Sequence, residues 1–232
     1  MKRFYKEVTV GEADAGWRVL LDGRPIKTAG GRVQVVTTKP LAEALAEEWA
    51  AQGENIDPAG FVLRDLCDFA IDAIAVDRAE AIRDLVPYAE TDTLCYRADP
   101  EDALFKRQQD VWEPLLKRAE DRWGLTFTRV SGIIHKPQPA QTLARLEQVL
   151  HEQDDFTLAG LRMLTSLAAS LVVGLFATEP DADSEALWRA ANLEEDWQIE
   201  LWGEDWEAAE RRKTRLEAFE LAMRLTRLAR ES

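Results

Sequence analysis

Six carboxylates crowd the stretch Leu193–Trp206, and by type and spacing they are the residues of this sequence best suited to chemistry. They are Glu194, Glu195, Asp196, Glu200, Glu204 and Asp205. Closely spaced carboxylates serve general acid–base catalysis or bind a divalent cation. Acid–base work requires pKa values that burial separates, whereas a run of acids on a helix usually faces water. We therefore expect no catalytic residue here, and a carboxylate-dependent hydrolase that uses Glu194, Glu195 or Asp205 stays as an alternative.

The other residue types that build active sites are scarce and poorly spaced. His135 and His151 are the only histidines, and they lack the i, i+4 spacing of a helical metal site. Cys67 and Cys95 form no C-x-x-C pair, which favours buried reduced thiols over a disulfide. The chain contains neither a G-x-x-x-x-G-K-[S/T] loop nor a G-x-G-x-x-G turn for phosphates. These patterns predict no metal, no cofactor, and surface positions for both histidines.

The acidic stretch is also rich in tryptophan, with half of the eight tryptophans of the chain in or beside it. They are Trp188, Trp197, Trp202 and Trp206. On one helix, two adjacent stripes would mix acids with large rings: Glu195, Ile199, Trp202 and Trp206 in the first, and Glu194, Gln198 and Trp202 in the second. Tryptophan is typical of binding hot spots. Composition alone still favours a helix that tryptophans anchor, with its acids in water or paired with the basic residues 211–215.

The totals describe a globular, acidic chain. It has 232 residues, of which 46% are hydrophobic and 31% charged, and its formal net charge is −14. Such a charge repels phosphate backbones and anionic lipid, so we expect no nucleic-acid partner. The residues after Met1 resemble no signal peptide, and the apolar run Met163–Ala177 is shorter than a membrane span. We expect a cytoplasmic protein that inserts into no membrane, with this run as a buried helix.

The first 38 residues predict a small antiparallel sheet. Alternation predicts strands at Phe4–Val10, Trp17–Leu21 and Val33–Thr37, with a turn at Gly11–Gly16. Asp22-Gly23 is a hairpin signal. Leu125–Val130 predicts one more strand, which can return to this sheet.

From residue 39 onward the pattern is mainly helical. Thr38 is the expected N-cap of the first helix, with Pro40 in its first turn. Trp49 lies on its apolar face, and Gly53 ends it. Further helices are predicted at Phe61–Val76, Arg78–Ala89, from Pro100 onward, and at 140–151, 157–177, 183–202 and 204–230. Pro114 either kinks its helix or starts a new one, and Thr91–Arg97 fits an extended or a helical form.

The predicted fold class is therefore α+β: a small N-terminal antiparallel β-rich domain followed by a larger C-terminal α-helical bundle. The domain division that we expect is 1–38, joined by a strand near 125–130, and 39–232.

Short blocks along nearly the whole chain resemble a known family. The blocks are Lys2-Arg3-Phe4-Tyr5, Leu21-Asp22-Gly23-Arg24, Ala46-Glu47-Glu48-Trp49, Ala70-Ile71-Asp72, Thr91–Arg97, Arg107-Gln108, Trp112, Pro114-Leu115-Leu116, Pro137-Gln138-Pro139, Leu193-Glu194-Glu195, Gln198-Ile199 and Trp202-Gly203. In this order and spacing they are similar to the assembly chaperones of the F-type ATP synthase that act on the alpha subunit of its catalytic head. The family occurs in mitochondria and in some bacteria.

The resemblance implies a fold, a partner and candidate site residues. It implies an N-terminal β-rich part, a C-terminal helical part, and binding of the unassembled ATP synthase alpha subunit. The implied partner-binding residues are Glu194 and Glu195, with Gln198 and Trp202 as neighbours. Trp49 is a further candidate, and its alternative is a core anchor of the first helix. The mitochondrial matrix would be the location of eukaryotic relatives, and a monomer is the expected state.

Two departures from the family pattern stand in the N-terminal half. Ala29 follows Thr28 where the family usually has proline. Asp68-Phe69 precedes Ala70-Ile71-Asp72 where the family usually has an Asn-Thr-like pair.

The function that we expect is non-enzymatic: a chaperone that binds and shields an orphan alpha subunit. The alternatives are the hydrolase described above and a scaffold for an unrelated protein partner.

Overall fold

The structure is a computed structural model that describes residues 1–132 and 135–231. Its strands are β1 (Val8–Ala13), β2 (Gly16–Leu21), β3 (Arg24–Pro25), β4 (Tyr96–Arg97) and β5 (Val130–Ser131). Its α-helices are α1 (Lys39–Ala50), α2 (Val62–Phe69), α3 (Arg78–Arg83), α4 (Val86–Glu90), α5 (Ala103–Trp123), α6 (Ala140–His151), α7 (Asp155–Ala168), α8 (Leu171–Ala177), α9 (Ser184–Ala191), α10 (Leu193–Trp202) and α11 (Trp206–Leu228). The α+β class, with a small N-terminal antiparallel sheet before a mostly helical region, is confirmed.

The N-terminal sheet has the antiparallel order β1-β2-β3. Asp22 and Gly23 both have positive φ, 48° and 76°, which is the backbone of a tight hairpin turn, so that prediction is confirmed. The predicted turn at Gly11–Gly16 is too long, because β1 continues to Ala13, which pairs with Gly16. No strand covers 33–37 in this described region, where Val33 and Val36 make only isolated bridges.

The expected return of Leu125–Val130 to the N-terminal sheet is wrong. Val130 and Ser131 instead pair in parallel with Tyr96 and Arg97, in a separate two-stranded sheet. This pairing also resolves the block Thr91–Arg97. It begins with a 3-10 turn over Thr93–Cys95 and ends in β4.

Local capping explains where α1 begins. The Thr38 hydroxyl accepts a hydrogen bond from Leu41 N at 3.2 Å and caps α1 as predicted, with Pro40 in the first turn. The helix expected at Phe61–Val76 is α2 followed by a π-helical turn, Ala70–Ile74. α5 runs through Pro114 as one helix, so this proline starts no new one.

Two long predicted helices are each broken in two. The expected helix 157–177 divides at Ala169, whose φ is 47°, and Ser170 then caps α8 through Val173 N at 3.0 Å. The expected helix 183–202 divides at Asn192 into α9 and α10. Both predictions rested on periodicity alone, which gives no sign of a break because the apolar pattern continues on either side of it.

The described chain folds into two compact units. Unit 1 comprises the described residues of Met1–Arg78, Asp154–Gly160 and Leu221–Ser232, and unit 2 those of Ala79–Gln153 and Leu161–Glu220. This division differs from the expected boundary at residue 38. In unit 1 the sheet packs against α1, because three short strands cannot bury an apolar face without a covering element.

Candidate partner-binding surface

α10 is held by its charged residues more than by burial. Leu193 is the one fully buried residue of the ten that the structure describes in this helix. Helix α5 contacts α10, and two arginines of α11 also pair with it. The four acids of α10 divide between these two neighbours.

Two acids of α10 bind side chains of α5. Gln108 donates from Nε2 to Glu194 Oε1 at 2.7 Å. Arg107 donates to both Glu200 oxygens, at 2.5 and 2.7 Å, and its guanidinium lies 5.6 Å from the centre of the Trp197 ring. The hydrogen bonds from Arg107 lower the pKa of Glu200. A bidentate pair of this kind sets the orientation of both side chains.

Two other acids bind arginines of α11. Asp196 accepts a hydrogen bond from Arg212, and Glu195 lies 3.5 Å from Arg215. Arg215 also donates to the Leu167 carbonyl at 3.2 Å and lies 5.3 Å from the Trp188 ring centre. These four acids therefore fasten α10 to its neighbours. The pairing with residues 211–215 that the sequence offered as an alternative holds for Glu195 and Asp196.

The end of α10 exposes large apolar side chains. Gly203, with φ 86°, ends the helix, and α11 begins at Trp206. We call residues 201–206 the tryptophan tip. Leu201, Trp202 and Trp206 in it are 55%, 77% and 76% exposed. The predicted single stripe through Trp202 and Trp206 is wrong, because Gly203 separates them into two helices. The tip also carries the exposed acids Glu204 and Asp205.

A groove of about 560 Å³ adjoins the tryptophan tip within unit 2. Glu194, Gln198 and Trp202, which the sequence placed on one stripe, line it together with Trp197. Its other wall is the segment 96–104, which sequence reasoning did not connect with α10. The available signal was that Tyr96 and Arg97 of this segment belong to one block of the family pattern, while Glu194, Gln198 and Trp202 belong to others.

Arg97, the last residue of the Thr91–Arg97 block, lines this groove and has a structural role. Its side chain is buried, lies over the Trp112 ring at 5.1 Å from the centre, and approaches Glu113 at 3.4 Å. Glu113 also pairs with Arg129 at 2.9 Å, and Arg129 binds Glu120. The two arginines and two glutamates balance in charge, which offsets the cost of burying Arg97.

Trp49 lies outside unit 2 and is buried, with 8% of its surface exposed. Its ring meets Tyr5 edge-on at 5.5 Å between centres and Phe61 at 4.5 Å. The Tyr5 hydroxyl donates to the Trp49 carbonyl at 2.7 Å. This environment favours the anchor role that the sequence analysis gave as the alternative for Trp49.

The remaining candidates for chemistry are the two cysteines and the two histidines. Both cysteines are buried free thiols. His135 is exposed, and its Nδ1 lies 2.9 Å from the Tyr96 hydroxyl. Over residues 1–132 and 135–231 no three His, Cys, Asp or Glu side chains form a metal-binding group. Over the same ranges, no helix combines the length and apolar content needed to cross a membrane.

Comparisons with known proteins agree on one family. The family model described as ATP12 chaperone protein matches residues 2–120. The mitochondrial protein atp12 of Schizosaccharomyces pombe is 24% identical over 214 residues, which cover 87% of this chain and 74% of that protein.

Solved structures match over almost the whole chain. Atp12 from Paracoccus denitrificans has a TM-score of 0.93 at 34% identity, covering 99% of this chain and 98% of its own. A point mutant of that protein gives a TM-score of 0.94 with the same identity and coverage. The Atu1473 protein from Agrobacterium tumefaciens has a TM-score of 0.92 at 37% identity, covering 98% of this chain and 85% of its own.

Proposed function

The chain belongs to the ATP12 family of ATP synthase assembly chaperones, and on that basis we propose that it binds and shields the unassembled alpha subunit of the F-type ATP synthase. The proposed role is non-enzymatic and the proposed state is a cytoplasmic monomer. The family identity agrees with the resemblance that the ordered blocks predicted. Beyond family membership, we propose the alpha subunit as the specific partner.

The observation that carries the proposal is the tryptophan tip. Three large apolar side chains within six residues are more than half exposed, and two of them are tryptophans. Exposed tryptophan is costly in a free protein and is enriched in binding hot spots. Contact with a client would remove these rings from water.

The acids around the tip suit a chaperone that must stay soluble when empty. Glu204 and Asp205 lie between the two exposed tryptophans, and Glu194 and Gln198 line the adjoining groove. We propose that Gln198 and Trp202 touch the partner, and that Glu194 and Glu195 contribute charge beside them. Trp49 contributes by holding α1 in the core of unit 1.

The mechanism follows from the interfaces that an orphan subunit exposes. A subunit of a ring meets its neighbours through heterologous interfaces, and without them its apolar surface aggregates. A chaperone without an energy source shields such a surface by occupying it. Its affinity must be lower than that of the final neighbour, so that assembly displaces it.

The test is co-expression with the alpha subunit, read as the amount of soluble alpha subunit and as a complex in gel filtration. The double variant Trp202→Ala/Trp206→Ala should weaken binding about tenfold or more, since truncating a hot-spot tryptophan costs at least about 2 kcal/mol. Glu195→Lys should also lose protection while the variant stays folded, because it reverses a half-buried charge on α10 that we assign to the partner-binding surface.

The controls are matched in type. Val62→Ala/Val76→Ala truncates exposed apolar residues elsewhere, and Glu217→Lys reverses an exposed acid on α11. If wild type neither forms the complex nor raises soluble alpha subunit, the proposed function is wrong. If the Trp202 and Glu195 variants bind like their controls, the surface assignment is wrong. A Glu195→Lys protein that melts well below wild type would make Glu195 structural.

A further inference from the structure

A second groove, of about 540 Å³, lies entirely within unit 1. The buried side chains of Tyr5, Leu21, Ile26 and Trp49 line it, together with the exposed ring of Phe4. We call it the unit-1 groove. It shares no lining residue with the groove beside the tryptophan tip.

Phe4 is the exposed end of a continuous row of aromatic rings. Phe4 meets Tyr5 edge-on at 5.3 Å between centres, Tyr5 meets Trp49 at 5.5 Å, and Trp49 meets Phe61 at 4.5 Å. Tyr5 and Trp49 are buried, whereas Phe4 is 64% exposed. A rigid buried row that ends in an exposed ring is a preorganised apolar contact, because the row is already ordered before binding.

The rim of the unit-1 groove is basic, against the charge of the whole chain. Arg24 and Lys27 line it and are exposed. The one acid of the lining is Asp22, whose carboxylate accepts hydrogen bonds from Lys6 N at 3.0 Å and Glu7 N at 2.8 Å. Those bonds hold the hairpin turn, and they lower the pKa of Asp22.

The basic rim belongs to a wider charge asymmetry in the sequence. Residues 1–38 contain seven Lys and Arg against four Asp and Glu, while the whole chain contains 29 against 43. The unit-1 groove therefore presents an apolar floor and positive charge, whereas the tryptophan tip presents apolar rings and negative charge. Surfaces of opposite charge select different partner segments.

We propose that the unit-1 groove is a second docking surface, which binds an extended segment of the client that carries apolar side chains flanked by Asp or Glu. This inference rests on the proposed function, because it names the client of that function as the source of the segment. Apolar side chains lie against Phe4 and the floor, and the flanking carboxylates pair with Arg24 and Lys27. A client held at two surfaces of different charge is bound more selectively than at one.

The test uses immobilised overlapping peptides that span the alpha subunit sequence, probed with the full chain. The wild type should retain peptides in which apolar residues are flanked by Asp or Glu. Arg24→Glu/Lys27→Glu should lose those peptides by about tenfold or more, and raised salt should weaken the wild-type binding. Phe4→Ala should weaken the same peptides without removing the preference for acids.

The matched control is Arg83→Glu/Lys213→Glu, which makes the same change in net charge at exposed positions outside the groove. It should bind the peptides like wild type. Circular dichroism and thermal unfolding show that each variant is folded. Equal retention by the groove variant and the control overturns the inference, and so does a wild type that shows no preference for acidic apolar peptides.

Two further outcomes separate the sources of a failure. Intact alpha subunit that binds equally to wild type and to Arg24→Glu/Lys27→Glu, with the tip variants still defective, overturns the second surface and leaves the proposed function intact. Association of the chain with itself that Arg24→Glu/Lys27→Glu abolishes would assign the groove to a second copy, which also overturns the inference. Absence of any alpha-subunit binding by wild type overturns both proposals.

Discussion

At the residue scale, Asp92 is a carboxyl group that the fold keeps away from water. It accepts hydrogen bonds from Leu94 N and from Val172 N, each at 3.0 Å, and the second of these groups opens α8. Burial raises the pKa of Asp92 to about 6, although these donors favour the ionised form. One side chain of the Thr91–Arg97 block thus joins that block to the start of α8.

The raised pKa of Asp92 predicts a pH dependence of stability. Between about pH 4 and pH 6 the folded state keeps a proton that the unfolded state has released, so this group makes stability fall as pH rises through that range. A shift of about two pKa units corresponds to roughly 3 kcal/mol. The advantage of wild type over Asp92→Asn should therefore shrink between pH 4 and pH 6, measured by urea unfolding.

Asp183→Asn, at the N-cap of α9, is the matched control, because Asp183 also accepts from a helix N-terminus but is exposed. A free-energy difference between wild type and Asp92→Asn that stays constant from pH 4 to pH 7 would contradict the assignment.

The two departures from the family pattern, at Ala29 and at Asp68, are linked by a hydrogen bond between these residues. Ala29 N donates to Asp68 Oδ2 at 2.9 Å, and Gln34 Nε2 donates to Asp68 Oδ1 at 2.5 Å. Proline at position 29 has no N–H to donate. A buried carboxylate at position 68 therefore fits a chain with alanine at position 29.

This pairing predicts a coupled mutational effect. Ala29→Pro should destabilise the protein by about 1–3 kcal/mol, since it leaves the buried Asp68 with one donor fewer. The same substitution should cost less in an Asp68→Asn background. Urea unfolding of the two single variants and the double variant measures the coupling, and strictly additive effects would refute the explanation.

At the element scale, α8 and α10 of unit 2 differ in what holds them: α8 is held by apolar burial and α10 mainly by charged pairs. All seven residues of α8 are buried, and Gly174 allows its close approach to α7, because a Cβ there would lie 2.4 Å from Thr165 Oγ1. α10 buries Leu193 and depends for the rest on charged pairs that are partly exposed. Such pairs contribute little individually and weaken in salt.

Hydrogen exchange should therefore distinguish the two helices. We expect amides of α10 to exchange at least about tenfold faster than those of α8, because local opening exposes little apolar surface there. One molar salt should increase exchange in α10 and leave α8 unchanged. Equal protection of α8 and α10 would show that α10 is held by more than its ion pairs.

At the scale of the whole molecule, the family and the fold class could be predicted because their signals are spread along the chain. Short blocks recur in order from Lys2 to Gly203, and the change from strand to helix patterns at Thr38 needs only local periodicity and capping. The start of α1 after its Thr38 cap and the Asp22-Gly23 turn followed from the same local rules, whereas α1 ends at Ala50 and not at Gly53. The long-range strand pairing could not be predicted from these rules, because β5 pairs with β4 and not with the N-terminal sheet.

The sequence by itself determined the chemical character of the candidate surface: acids, amide and tryptophan in one short stretch. Tertiary structure alone decided which of them face water. Glu195, Asp196 and Glu200 lie beside arginines that are distant in sequence, while Trp202 and Trp206 find no cover and remain exposed. The physical reason is that helical spacing sets which side chains share a face, whereas only packing against α5 and α11 sets which face is covered.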